Sequence, residues 1–249
     1  MPIPAFDSLE AIRFHGASLA EAAEGNLGAP VEHCPGWSVA DLVWHLAEVH
    51  WFWATIVEEL LVEPPGEARR PARPDDHSAL LSMCRANAEH LVQVLATAEP
   101  AAACWTWAPH QKDVAFVLRH QVQEAAVHHW DAAHAAGSDI SINSAVAADA
   151  VDEFLKFSVS SDDDPAEPAR EPLGGSLALR CSDLDAAWIV SDGTAAGTIR
   201  AVQTDDPSVP GVTATASDLI LWLYGRVAID TEPLPIELLP RFKGLLFTD

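Results

Sequence analysis

The chain has 249 residues, 49% of them hydrophobic, enough for one large domain or two small ones with a buried core. Asp and Glu number 37 against 14 Lys and Arg, for a formal charge of -23. That surface repels phosphate backbones and anionic headgroups, so neither general nucleic-acid binding nor docking on an anionic membrane is expected.

The opening residues, MPIPAFDSLEAIRFHG, lack a basic segment followed by an apolar run, so no secretory signal is read there. Asp7-Ser8-Leu9-Glu10 matches a capping box and predicts a first helix running toward Gly25–Gly28. The turn Pro35-Gly36 precedes a second box, Ser38-Val39-Ala40-Asp41, whose helix should reach Val62. This helix carries DLVWHLAEVHWFWATIVEELL, the most apolar long segment. An aspartate, two histidines and three glutamates within it argue for a buried amphipathic helix and against a membrane span.

Residues 64–76, PPGEARRPARPDD, read as a loop. Leu81, Cys84, Ala88, Leu91 and Leu95 recur at helical spacing and predict a third helix over 78–98. A fourth is expected over 114–136, stopped by Gly137, and a fifth over 144–158. SSDDDPAEPAREPLGG (160–175) is acidic and proline-rich and reads as a linker. Beyond it SLALRCSD, AAWIVSD and GVTATAS look like strands, and Ser217 looks like the cap of a helix ending at Arg226. The expected organisation is a helical domain over 1–159, a linker over 160–175 and a smaller α/β domain over 176–249. Cys34, Cys84, Cys104 and Cys181 are far apart and form no C-x-x-C pair, which suits reduced thiols in the cytoplasm.

The fourth helix holds HQVQEAAVHHWDAAH, residues 120–134. At 3.6 residues per turn Glu124 and His128 share one face, and zinc accepts both donor types. His120 lies about 12 Å from His128 along the axis, too far for an easy shared ion. A third ligand from another helix is easier, and His45, in the apolar second helix, is the best donor. Glu48 (three residues after His45) and Asp131 (three after His128) could support the imidazoles from behind. His120, His129 and His134 read as surface residues. Spacing alone leaves a solvated helix face as an open alternative.

Two segments, CPGWSVADLVWHL and FVLRHQVQEAAVHHWDA, resemble the mycothiol-dependent maleylpyruvate isomerase family, a branch of the DinB-like metalloenzymes. The family's usual pattern in the second segment is close to R-R-Q-A-H-E-x-x-V-H-R-x-D-A. Arg119, Gln121, Glu124, Val127, His128, Asp131 and Ala132 match it; His120, Val122, Gln123 and His129 depart. AVAADAVDEFL and TATASDLILWLYGR resemble the family's fifth helix and its closing signature.

The resemblance implies a DinB-like up-down helical bundle followed by a smaller sterol-carrier-protein-like α/β domain. It also implies a divalent metal, usually zinc, on His45, Glu124 and His128. Three protein ligands leave a coordination position open for catalysis. The resemblance favours a low-molecular-weight thiol there, mycothiol, held as thiolate for attack on a small electrophile. An isomerase, an S-transferase and a non-catalytic metal- or thiol-binding module remain open. Arg226, which ends the closing signature, is the first choice to grip a substrate carboxylate; offsetting a helix dipole is its alternative role.

Overall fold

The computed structural model describes residues 3–166 and 170–247. The chain divides into two compact units, one of residues 6–142 and one of residues 143–247 with residues 3–5.

The first unit contains α1 (Ser8–Ala22), α2 (Val39–Glu59), α3 (His77–Thr97) and α4 (Val114–Ala135). Each begins on a side-chain cap. Asp7, Ser38, Asp76 and Asp113 accept the amides of Glu10, Asp41, Ala79 and Phe116. Ser38 and Asp41 form a full reciprocal box, so α2, which carries His45, has a fixed starting point. Leu60 ends α2 in the left-handed conformation (φ 48°), two residues before Val62. A single turn of 3-10 helix, Glu67–Arg69, interrupts the predicted loop.

α1 packs on α3 and α4, and α2 packs on the same two helices. The shared core includes Leu19, Val39, Leu42, Leu46, Leu80 and Cys84. These sidedness patterns place one stripe of α2 and one of α4 face to face.

The second unit contains α5 (Ser144–Phe157), β1 (Ser176–Cys181), β2 (Ala187–Asp192), β3 (Ile199–Gln203), β4 (Gly211–Ala214), α6 (Ala216–Leu223) and α7 (Leu238–Gly244). The sheet order is β3-β2-β1-β4. β1–β2 and β2–β3 pair antiparallel, and β1–β4 pair parallel. Leu177, Ala178, Leu179, Trp188, Val190 and Val212 are buried in this unit.

Three sequence expectations change here. α5 packs on α6 and β3 and so belongs to the second unit, and the division falls at 142/143 and not at 159. Phe154 meets Tyr224 edge-on at 5.0 Å, and the Trp188 indole donates to Asp152 at 3.1 Å. The described residues of 160–175 are part of the second unit. The Ser160 hydroxyl donates to the Gly197 carbonyl at 2.7 Å, Asp162 accepts the Thr194 and Ala195 amides, and Leu173 is fully buried. Residues 167–169 of that expected linker lie outside the described residues. Thr215, not Ser217, caps α6 by accepting the Asp218 amide at 3.0 Å. No helix among the described residues is long and apolar enough to cross a membrane.

Candidate metal centre

α2 and α4 bring His45, Glu124 and His128 together. His45 Nε2 lies 2.9 Å from Glu124 Oε1, and His128 Nε2 lies 3.5 Å from the same oxygen. One donor atom from each side chain lies within 4.8 Å of the other two. Two ligands each about 2.1 Å from a tetrahedral zinc are about 3.4 Å apart, so the set fits one such ion with small adjustments. The side chains remain 32%, 19% and 13% exposed for His45, Glu124 and His128, so a small molecule can reach the cluster.

The electrostatics favour a cation. Burial opposes a charge on His128, but Glu124 and Asp131 outweigh it and raise its pKa to about 9. Burial also opposes ionisation of Glu124; His128 and His45 outweigh that and hold the carboxyl well below its usual range. A divalent ion at this place would answer the same carboxylate and take the place of the protons.

Asp131 is buried, and its Oδ2 lies 3.0 Å from His128 Nδ1. Accepting the Nδ1 proton directs Nε2 of the same ring toward Glu124. Glu48 does not stand behind His45. Arg70, from the loop after α2, takes its carboxylate, with Nη2 to Oε2 at 2.7 Å. The guanidinium offers a permanently charged two-point partner that an imidazole cannot match. Trp37 lies against His45 instead, ring centroids 5.0 Å apart. Cys34, read as a structural thiol, places its sulfur within 4.8 Å of donor atoms of His128 and Asp131. Both residues sit on the loop that leads into α2, where a helix-periodic pattern gives no signal.

The other histidines divide differently from the sequence reading. His129 is buried, its Nδ1 3.0 Å from Nδ1 of His15 on α1. One position on from His128, it turns about 100° around the helix and so meets α1 instead of α2. His120 is half-buried and stacks on Phe116, centroids 5.5 Å apart. His134 is exposed, but bonded to Glu32 at 3.0 Å. His50 is fully buried with neither ring nitrogen hydrogen-bonded. Arg226 lies in the second unit, buried, with Nη1 donating to the Tyr224 carbonyl at 2.9 Å and its guanidinium over the Tyr224 ring. That contact lies just past Leu223, the last residue of α6.

The profile of the Mycothiol maleylpyruvate isomerase N-terminal domain matches residues 9–133, half of the chain. The chain belongs to that family. The match begins in α1 and ends in α4, so it spans all three converging side chains. A crystal structure of the mycothiol-dependent maleylpyruvate isomerase is similar at 13% identity, with a TM-score of 0.56 over 88% of each chain. A structure of a histidine-to-alanine mutant of that enzyme is similar at 12% identity and TM-score 0.55, again over 88% of each chain. At such identities the likeness concerns the fold, a helical part joined to a part with a four-stranded sheet. No curated protein sequence matches the chain.

Proposed function

We propose that this protein is a divalent-metal-dependent enzyme that presents a low-molecular-weight thiol, mycothiol, as thiolate to a small electrophile, in the manner of a maleylpyruvate isomerase. The observation that carries the reading is the convergence of His45, Glu124 and His128 within 4.8 Å, in a chain of this family. The helical unit is then a DinB-like bundle, and the second unit a smaller sterol-carrier-protein-like α/β domain.

His45, Glu124 and His128 hold the metal, and zinc suits their two nitrogens and one oxygen. When bound, such an ion lowers the pKa of a coordinated thiol so that it is thiolate at neutral pH. Asp131 keeps the His128 Nδ1 proton and so keeps Nε2 available as a donor. Trp37 shields one side of His45 from water. The thiolate sulfur adds to the activated carbon–carbon double bond of the substrate. The former cis bond rotates as a single bond, and elimination restores the double bond and the thiolate.

The test uses protein purified without a histidine tag or nickel column. It should carry a divalent metal, or take up zinc, and should isomerise maleylpyruvate only when mycothiol is present. His45→Ala, Glu124→Ala and His128→Ala should each lose the ion and the turnover while keeping wild-type helical circular dichroism. A protein that binds no zinc at all sinks the proposal. A zinc-loaded protein that turns over without thiol marks a hydrolase instead, and thioether product in place of isomer marks an S-transferase.

A further inference from the structure

The geometry points to a second cation site, at the far end of α4, built from Glu32, His33 and His134. One donor atom from each residue lies within 4.8 Å of the others. His134 Nε2 already lies 3.0 Å from Glu32 Oε2, and the two imidazoles are 5.6 Å apart between centroids. None of the three belongs to the metal centre described above. His134 is six residues beyond His128, about 9 Å farther along the helix.

The donors are held in place before any ion arrives. Trp130 is buried and stacks on the His134 ring at 4.7 Å, with 9° between planes. The same indole lies 5.7 Å from the His33 ring, so one aromatic wall backs both imidazoles. The loop carrying Glu32 and His33 is closed by its own backbone. The Val31 amide donates to the Trp37 carbonyl at 2.9 Å, and the Cys34 amide to the Val31 carbonyl at 3.2 Å. The backbone on either side of residues 32 and 33 is therefore held in a closed turn.

The charge is also right. His134 lies in the last turn of α4, where unpaired carbonyls present the negative end of the helix dipole. Glu32 is held ionised, its pKa lowered first by its hydrogen bond to His134. A chain of net charge -23 raises the local concentration of any cation.

Two imidazoles and one carboxylate select a zinc-class divalent ion over calcium or magnesium, which prefer oxygen. Glu32 and His134 are 70% and 42% exposed, so water completes the coordination and the ion exchanges freely. Its binding ties the loop before α2 to the end of α4. That loop also carries Trp37, which lies against His45. The second ion is thus a clamp on one wall of the first site.

Zinc stoichiometry on the tag-free full chain, stripped with chelator and then dialysed against excess zinc, tests this. Wild type should hold one more zinc ion per chain than His134→Ala. Glu32→Gln, an exposed and conservative change, should lose the same ion, which guards against a folding artefact in the histidine variant. Copper(II), a quencher, should reduce Trp130 fluorescence in wild type, and this share of the quench should vanish in Glu32→Gln. Equal zinc content in wild type and both variants overturns the proposal. His45→Ala measured in parallel reports on the first centre alone, so the two readings fail separately.

Discussion

Asp131 shows how a single buried carboxylate decides what a histidine can do. Its Oδ2 lies 3.0 Å from His128 Nδ1, and together with Glu124 it raises the pKa of the ring to about 9 against the effect of burial. Asn at this position retains an acceptor but removes the charge. Asp131→Asn should therefore weaken zinc binding about 10–100-fold, the usual effect of losing such a support. Competition with a chelator of known affinity measures it; an unchanged constant would show that Asp131 is only a packing residue. At this scale the sequence is informative where helix geometry rules. Glu124 and His128 are one turn apart, and Asp131 follows on the same face, so their association is legible from spacing. The carboxylate of Glu48 is not, because its partner Arg70 comes from a proline-rich loop whose path no periodicity encodes. The burial of His129 is equally hidden, since it depends on His15 meeting it from α1, 114 residues away in sequence.

The helices meet closely enough that one hydrogen-to-methyl change matters. Gly16 lies on α1 where that helix crosses α3, and a Cβ there would sit 2.9 Å from the Ala88 Cβ and 3.5 Å from His50 Cε1. Ala88 is buried on a rigid helix and cannot swing aside. In a free helix alanine is favoured over glycine by about 1 kcal/mol. Here the clash should reverse the sign, and Gly16→Ala should destabilise by about 1–3 kcal/mol, the range for overpacking a filled core. Urea unfolding gives the number, and a gain in stability would mean that α1 and α3 can separate without loss. The start of α2 was legible because its cap is chemical: Ser38 and Asp41 are read directly as a box. Asp7, Asp76 and Asp113 likewise cap α1, α3 and α4, but only Asp7 stands in a box-like sequence, so the last two caps are not legible in that way. β3 was not legible, because it is an edge strand with largely exposed side chains and no alternation. The allegiance of α5 was also hidden. Its apolar stripe announces a helix, but nothing in the stripe says that Phe154 will meet Tyr224 of the second unit.

Across the whole molecule, acid has two opposing effects. Protonating carboxylates reduces the self-repulsion of a chain with net charge -23, which favours the compact state. Buried neutral histidines act the other way. Burial lowers the pKa of His50 to about 4, against the pull of Glu124 and with a small contribution from His45. His15 is lowered to about 4 as well, by burial and then by His129. A histidine whose folded pKa lies below its unfolded value binds more protons when unfolded, so stability falls as pH drops from about 6.5 toward 4. Most surface carboxylates stay ionised until the lower part of that window, so the histidines dominate its upper part. Each costs on the order of 2 kcal/mol by pH 5. His50→Leu separates this effect from all others, because the remaining groups cancel between variant and wild type. At neutral pH the variant should be more stable by about 1–3 kcal/mol, since it removes two buried ring nitrogens that have no hydrogen-bond partner. Between pH 6.5 and 5 its stability should fall with a slope smaller by about one proton. Denaturant midpoints in chelator, taken across that range for both proteins, give the difference directly. Parallel curves would show that His50 is as free to protonate in the folded chain as in the unfolded one, and hence that the core around it admits water.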